Sequence, residues 1–480
     1  MVAAADGLLR ALRSSFGARL AMAVLNYGLF WVLSHRFDAA ELGGYSVLMN
    51  LFFLLQMLPL LGLSAPLARR IAGEPASLAA EFSNALAFAL PVAAVLGAGI
   101  VVVGLVGYEQ ALHPSFVLLG LALLPTGWTL VAEMSLLGRE RMSLVARAQA
   151  FESLGRAVLA IAAVEAGGGL TAVFGVFFAL RCAAALWYAW QPALPRFDRA
   201  QLSRLLWRRN WCEVPVFLGI AVAAAVATRI DLIVLAQLAG LQAAGIYAAA
   251  SRLYEATLML PTVAAMVMLP ALARLYRGDR ARFDAMLLAA LRLSLGAGFA
   301  VALAVAALAE PLIGLLYAPH LAAAAPVLRW LIFAAVLTTA DQLLSSTMIA
   351  AQAQHDDLRT MLIAVAALAL GLALLVPTQG ALGAAMAVPL ALALRLAWRL
   401  RWAARRLALP DLGHLLARLG LAWALGALAL AGGLLLGPLP ALLASLGTYA
   451  LALWASGLLA TMRTFTPVPP PADLPATGPT

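Results

Sequence analysis

An all-α, polytopic membrane protein with about fourteen transmembrane helices is the fold class this sequence predicts. Three observations carry the prediction: the composition, the recurrence of long apolar runs, and the alternation of arginine along the chain. Of 480 residues, 64% are hydrophobic and 11% are charged, whereas a soluble domain carries about 25% charged residues. Apolar runs of about 20 residues recur from end to end, each long enough to cross a hydrocarbon layer about 30 Å thick. The runs are continuously apolar, which excludes the alternating strands of a membrane barrel.

The first run, at 16–34, is led by Arg10, Arg13 and Arg19 and continues through Trp31 with no small-residue cleavage site. It reads as a span and not as a cleavable signal peptide. Five more follow at 42–66, 82–107, 114–137, 147–165 and 169–190. A second six lie at 213–235, 243–271, 285–308, 326–350, 358–376 and 380–398, and a final pair at 415–436 and 440–460. These divide the chain into an N-terminal six-helix lobe (1–200), a second six-helix lobe (201–405), helices 13 and 14 (406–462) and a proline-rich, disordered tail (463–480).

All 32 basic residues are arginine, so arginine alone sets orientation. Arg69 and Arg70 follow the second span; Arg139, Arg141 and Arg147 the fourth; Arg196, Arg199, Arg204, Arg208 and Arg209 the sixth. Arg274, Arg277, Arg280 and Arg282 follow the eighth, Arg359 the tenth, and Arg399, Arg401, Arg405 and Arg406 the twelfth. The intervening connections hold only Arg36. By the positive-inside rule both termini are cytoplasmic. The net charge of +10 then faces anionic lipid headgroups. A nucleic-acid partner is not expected, because no soluble basic domain or aromatic-basic platform is present.

Cys182 and Cys212 show no disulfide or metal spacing, the five histidines are scattered, and no cofactor is expected. The connections on the external side are short, about fifteen residues at most by this reading. A glycan polymerase or ligase acting on the outer face would need more, so an enzyme is not expected.

Residues 43–59 and 245–261 echo each other at an offset of 202: Gly43, Tyr45, Leu51, Met57, Leu58 and Pro59 match Gly245, Tyr247, Leu253, Met259, Leu260 and Pro261. These are the second helices of the two six-span units, as in parallel repeats about an axis along the membrane normal. Pro59 and Pro261 either kink their helices and free carbonyls or only shape packing.

Arg156, Arg181, Arg252 and Arg292 lie about two turns or more inside spans, Arg229 lies in the outer part of its span, and Arg395 and Arg418 lie near helix ends where they can snorkel. Centrally placed arginine costs about 2.5–3.5 kcal/mol on insertion scales, so several together imply a hydrated cavity. Glu133, Glu152, Asp231, Glu255 and Asp341 accompany them. Glu152–Arg156 and Arg252–Glu255 have helix-pair spacing. An arginine-rich cavity selects anions, and the guanidinium fork suits phosphate.

The stretches "NYGLFWVLSHRFDAAELGGYSVL" with "PLLGLSAPLARRIA", and "TRIDLIVLAQLAGLQAAGIYAAASRLYE" with "MLPALARLYRGD", resemble the polysaccharide-type flippases of the multidrug/oligosaccharidyl-lipid/polysaccharide exporter superfamily. Across nearly the whole chain, the resemblance implies two lobes around a cationic cavity that opens alternately to each side. It further implies an undecaprenyl-pyrophosphate-linked oligosaccharide as substrate, for O-antigen or another lipopolysaccharide or exopolysaccharide. The resemblance also implies the bacterial inner membrane as location, with membrane lipids and other polysaccharide-assembly membrane proteins as the remaining expected partners.

Arg19, Arg229, Asp231 and Arg252 fall in the matching stretches. The expected pyrophosphate site comprises Arg229 and Arg252, with Arg156 and Arg292 on the cavity wall and Arg19 as a further member of the set. Asp231, Glu255 or Asp341 are candidates for coupling to protons or sodium; the alternative driving force is membrane potential. Competing substrates are lipid II and, as in MATE exporters, cationic drugs.

Overall fold

A computed structural model describes residues 22–258, 272, 274–276, 278–407 and 412–458. Among them the chain is helical, and eleven helices are long and apolar enough to cross a membrane. Ten of them coincide with expected spans, and the eleventh stretch, Arg229–Thr257, crosses from the seventh place into the eighth within α8 (Arg204–Thr257). Helices also occupy the first and fifth places, at α1 (22–36) and α6 (Met142–Glu165), and the start of α8 fills the rest of the seventh. In α6 the charges of Arg147, Glu152 and Arg156 interrupt the apolar run.

In order, α2 is Ala39–Leu55, α3 Ser64–Gly73, α4 Leu78–Gly107, α5 His113–Gly138 and α7 Leu170–Ala189. Then come α9 (Arg280–Ala307), the short α10 (Ala309–Leu316), α11 (Ala324–Ala350), α12 (Gln354–Gln379) and α13 (Ala381–Arg406). Last are α14 (Leu412–Leu434) and α15 (Pro438–Ala455).

Local chemistry sets the ends. Asp38 caps α2 by accepting from the Glu41 N–H while the Glu41 carboxylate accepts from the Asp38 N–H, a reciprocal box that satisfies two otherwise orphaned donors. The expected second span, 42–66, is not one helix. It stops at Leu55, passes through a 3-10 turn over Leu58–Leu60 that contains Pro59, and restarts as α3. Pro59 therefore sits in a break and does not kink a continuous helix.

Gly240 (φ 84°, ψ 172°) divides α8 into two arms. The Tyr247 hydroxyl donates to Asp231, sixteen residues earlier. A straight helix would hold those residues about 24 Å apart, so the chain turns back on itself at Gly240.

The chain forms two compact units. The first comprises Met1–Leu253, Leu312–Leu331 and Met361–Ala391. In its core, Phe82, Leu86 and Ala89 of α4 meet Leu67 and Ile71 of α3 and Val131 of α5. Ala132 and Leu136 of α5 meet Val145 and Ala148 of α6 and Tyr188 of α7. Arg70 binds Glu81 (3.2 Å), Glu213 (3.0 Å) and Asn210 (3.0 Å), tying α3 and α4 to the first arm of α8.

The second unit comprises Tyr254–Pro311, Ile332–Thr360 and Leu392–Thr480. Phe283, Leu287, Leu291, Leu295 and Phe299 recur along one face of α9 and are buried against residues of α14 and α15. Phe299 stacks on Trp423 with ring centroids 4.7 Å apart, and the Tyr449 hydroxyl donates to the Gly296 carbonyl (2.9 Å).

Candidate functional site

The first unit gathers the strongest candidate site from α1, α2, α6, α7 and α8. Arg156 on α6 donates to the Asn26 side-chain carbonyl on α1 at 2.6 Å. Its neighbour in sequence, Glu152, takes a different partner: it pairs with Arg181 of α7 at 3.1 Å. The helix spacing of Glu152 and Arg156 thus does not produce the expected pair, because the acid reaches across to the next helix. Arg181 also lies over Phe52 and Phe177. Arg156 lies within electrostatic reach of Glu152, Arg181, Arg252 and Tyr45, so three guanidiniums share one region.

Arg229, on the first arm of α8, donates to Asn50 of α2 at 3.3 Å and lies 5.3 Å from the Phe53 ring centroid. Arg252, on the second arm, lies 5.2 Å from the ring of Phe30 on α1. Beside it, the hydroxyls of Tyr27 and Tyr317 are 3.1 Å apart. Burial, followed by the hydrogen bond with Tyr27, pushes the Tyr317 hydroxyl above the ordinary phenol range, so Tyr317 stays protonated near neutral pH. At the repeat offset of 202 residues, Arg252 corresponds to Asn50 and Arg229 to Tyr27. The two cations therefore occupy related junctions, one on α2 and one on α1.

Ring faces thus lie beside both guanidiniums, and a side-chain amide receives Arg229. A guanidinium over a ring face gains about 0.5–2 kcal/mol. Asn26 and Asn50 consume one fork position each and add no negative charge. Tyr247 hydrogen-bonds Asp231, which positions that acid within the α8 turn.

The other expected residues begin with Glu255, one helical turn after Arg252 on the same arm of α8. Glu255, Arg292 and Asp341 belong to the second unit. Glu255 is half-buried near the end of the second arm of α8. Arg292 has a buried Nε with no hydrogen-bond partner among the described residues. Asp341 is 1% exposed and binds two arginines. Arg395 does not snorkel as expected; both its Nε and a terminal nitrogen donate to Asp341. Arg418 donates to the Ser456 carbonyl at 3.1 Å. Arg19 and Pro261 lie outside the described residues.

Sequence reasoning omitted Asn26, Asn50, Tyr27 and Tyr317 from the site. The offset could have pointed to Asn50 and Tyr27, since they are the counterparts of Arg252 and Arg229. Arg181 stood out as a deep arginine but was left out of the proposed set. Among the described residues no cluster of histidine, cysteine and carboxylates could hold a metal ion.

The sequence matches the family model described as "Polysaccharide biosynthesis protein" over residues 8–276, more than half of the chain. The chain belongs to that family. No curated protein matches it. This polysaccharide biosynthesis protein is similar in structure to a lipid II flippase, MurJ, in an inward closed conformation: TM-score 0.74 at 12% identity, covering 92% of this chain and 99% of that one. It is also similar to a multidrug resistance MATE family transporter of the MOP superfamily in an inward-facing conformation (TM-score 0.63, 15% identity, 82% and 95% covered). A MOP superfamily transporter from Pyrococcus furiosus, reported for the reverse polarity of its binding pocket, matches with TM-score 0.55 at 14% identity, covering 83% and 94%. The family member described here is thus a polytopic membrane protein with the MurJ and MATE transporter fold.

Proposed function

We propose that this protein is a flippase that moves an undecaprenyl-pyrophosphate-linked oligosaccharide repeat unit across the bacterial cytoplasmic membrane by alternating access. Membership in the polysaccharide biosynthesis family and likeness to a lipid II flippase support a lipid-linked glycan as cargo. One observation carries the choice of an anionic headgroup. Arg156 spends its hydrogen bond on the neutral Asn26 amide, while Glu152 of the same region is taken by Arg181. A cationic drug gains nothing from the Arg156 guanidinium, whereas a pyrophosphate presents acceptor oxygens that match its fork.

In this reading Arg229, Arg252 and Arg156 hold the pyrophosphate, and Arg292 and Arg19 assist along its path. The arginine-rich helix ends and both termini face the cytoplasm, and residues 1–200 and 201–405 act as the two moving lobes. Membrane potential favours outward movement of negative charge by about 2.3 kcal/mol per elementary charge per 100 mV. Asp231 and Glu255 are the acids best placed to couple that movement to an inward cation. The polyprenyl tail stays in lipid.

The test is flipping of a fluorescent lipid-linked oligosaccharide in proteoliposomes, paired with surface glycan output in cells. Arg229→Ala/Arg252→Ala is expected to abolish both while leaving membrane insertion intact. Arg156→Gln is expected to slow flipping about tenfold, the equivalent of one lost charge-assisted hydrogen bond of about 1.5 kcal/mol. Normal glycan output from the double variant would remove the site. Undiminished uptake of a cationic dye by the same variants, with no glycan transport by wild type, would favour drug export instead.

A further inference from the structure

The C-terminal half of α13 carries five arginines, and they separate onto two faces. Arg395 and Arg399 turn inward, where they bind Asp341 and Asp357. Arg401 and Arg405 lie on the exposed face with Arg406 beside them. They line a cavity of 760 Å³ together with Leu394, Trp398 and Trp402. Positions 394, 398, 401 and 405 form one stripe at helical spacing. Along it, an apolar half (Leu394 47% and Trp398 49% exposed) passes directly into a cationic half.

The cationic half is not neutralised locally. Asp356 is the one carboxylate in the lining, and it is already engaged by the Trp402 indole N–H (3.2 Å) and by Arg359 (3.5 Å). Among the described residues, Arg401 and Arg405 form no ion pair. Like charges spaced i, i+4 repel each other on a bare helix, so this pair gains from an anion held between them. Tryptophan beside a cluster of arginines at the end of a spanning helix is the arrangement found at headgroup depth. Free phosphate would use the arginines alone, whereas the continuous apolar stripe extends to where an acyl chain lies.

We propose that the arginine-rich end of α13 is a binding site for an acidic phospholipid. The headgroup phosphate sits between Arg401 and Arg405 near Trp402, and an acyl chain runs down Leu394 and Trp398. The site lies in the second unit and does not depend on the identity of the transported substrate.

Native mass spectrometry of the full-length protein, titrated separately with phosphatidylglycerol, phosphatidylcholine and inorganic phosphate, tests the proposal. Wild type is expected to retain at least one phosphatidylglycerol that phosphatidylcholine does not replace. Arg401→Gln/Arg405→Gln is expected to weaken its binding about tenfold or more. The charge-matched control Arg141→Gln/Arg147→Gln should keep it. Arg401→Lys/Arg405→Lys guards against misfolding of the glutamine variant and should bind within about threefold of wild type, since an ammonium still attracts phosphate as a point charge. The proposal is overturned if the control loses the lipid equally, if phosphatidylcholine binds as well, if phosphate alone displaces the lipid at equal concentration, or if the lysine variant loses the lipid as fully as the glutamine one.

Discussion

Asp341→Asn is expected to lower the stability of this protein by about 3–5 kcal/mol, the cost of breaking a buried ion pair on one side. Asp341 is 1% exposed and Arg399 3%. The Asp341 carboxylate receives Arg395 and also Arg399, the latter at 2.7 Å. Arg399 goes on to the Asp341 main-chain carbonyl (2.8 Å), Asp357 (2.6 Å) and Thr360 (3.1 Å). Two aspartates and two arginines thus compensate one another across α11, α12 and α13.

Removing the Asp341 charge leaves Arg395 with no carboxylate and the buried Arg399 beside it with one acid fewer. Removing charge from both sides is a different matter, since a well-packed apolar replacement avoids the desolvation cost altogether. Asp341→Leu/Arg395→Leu is therefore expected to be closer to wild type than Asp341→Asn alone. Unfolding midpoints in mild detergent, measured around that double-mutant cycle, give the coupling. An Asn variant as stable as wild type would show the network to be slack. The same result bears on transport: an acid this firmly held stabilises the second unit, and it makes a poor carrier of a coupling ion.

What the sequence made legible, and what it hid, follows from the physics of each feature. Spanning helices are legible because continuous apolarity is a one-dimensional property, visible in any window. The charged α6 was legible for the same reason, as an apolar run with intrusions at Arg147, Glu152 and Arg156. The break after Leu55 was hidden, although Pro59 and Gly62 both lie in the quoted stretch. An apolar turn that buries Leu58, Pro59 and Leu60 reads like any other part of a span. Partner choice was hidden most deeply. Spacing on one helix reports which residues share a face, and it paired Glu152 with Arg156. The tertiary fold instead offered Arg181 to Glu152 and Asn26 to Arg156. Amides such as Asn26 and Asn50 carry no charge to draw notice in an apolar stretch, yet they are the groups that receive the arginines. The repeat offset was legible, while its physical consequence needed coordinates.

That consequence gives the second large effect: alanine at Gly43 or Gly245 is expected to cost about 3 kcal/mol or more, the upper part of the range for overpacking. A Cβ on Gly43 would lie 1.9 Å from the Leu241 carbonyl oxygen, and one on Gly245 would lie 1.9 Å from the Ala39 carbonyl oxygen. Ala39 and Leu241 stand in the same 202-residue relation as the two glycines, so the contact is self-complementary under the repeat. In both places the obstacle is backbone, which cannot rotate aside, and α2 must separate from the second arm of α8. Gly44→Ala is the matched control, because its Cβ would meet flexible side chains and no backbone, Leu112 at 3.2 Å and Leu170 at 3.4 Å.

The two substitutions should not add. Once one methyl has separated the helices, the second finds room, and the double variant is expected to be little worse than the worse single one. Asn50 and Arg252 each lie seven residues beyond their glycine, about two helical turns further along. Separation at the glycines therefore displaces both halves of the arginine site. Flipping should fall even in variants that still insert and retain most of their helical signal. If Gly43→Ala proves no more damaging than Gly44→Ala in both unfolding and flipping, the helices are not in backbone contact and the pseudo-symmetric junction fails with them.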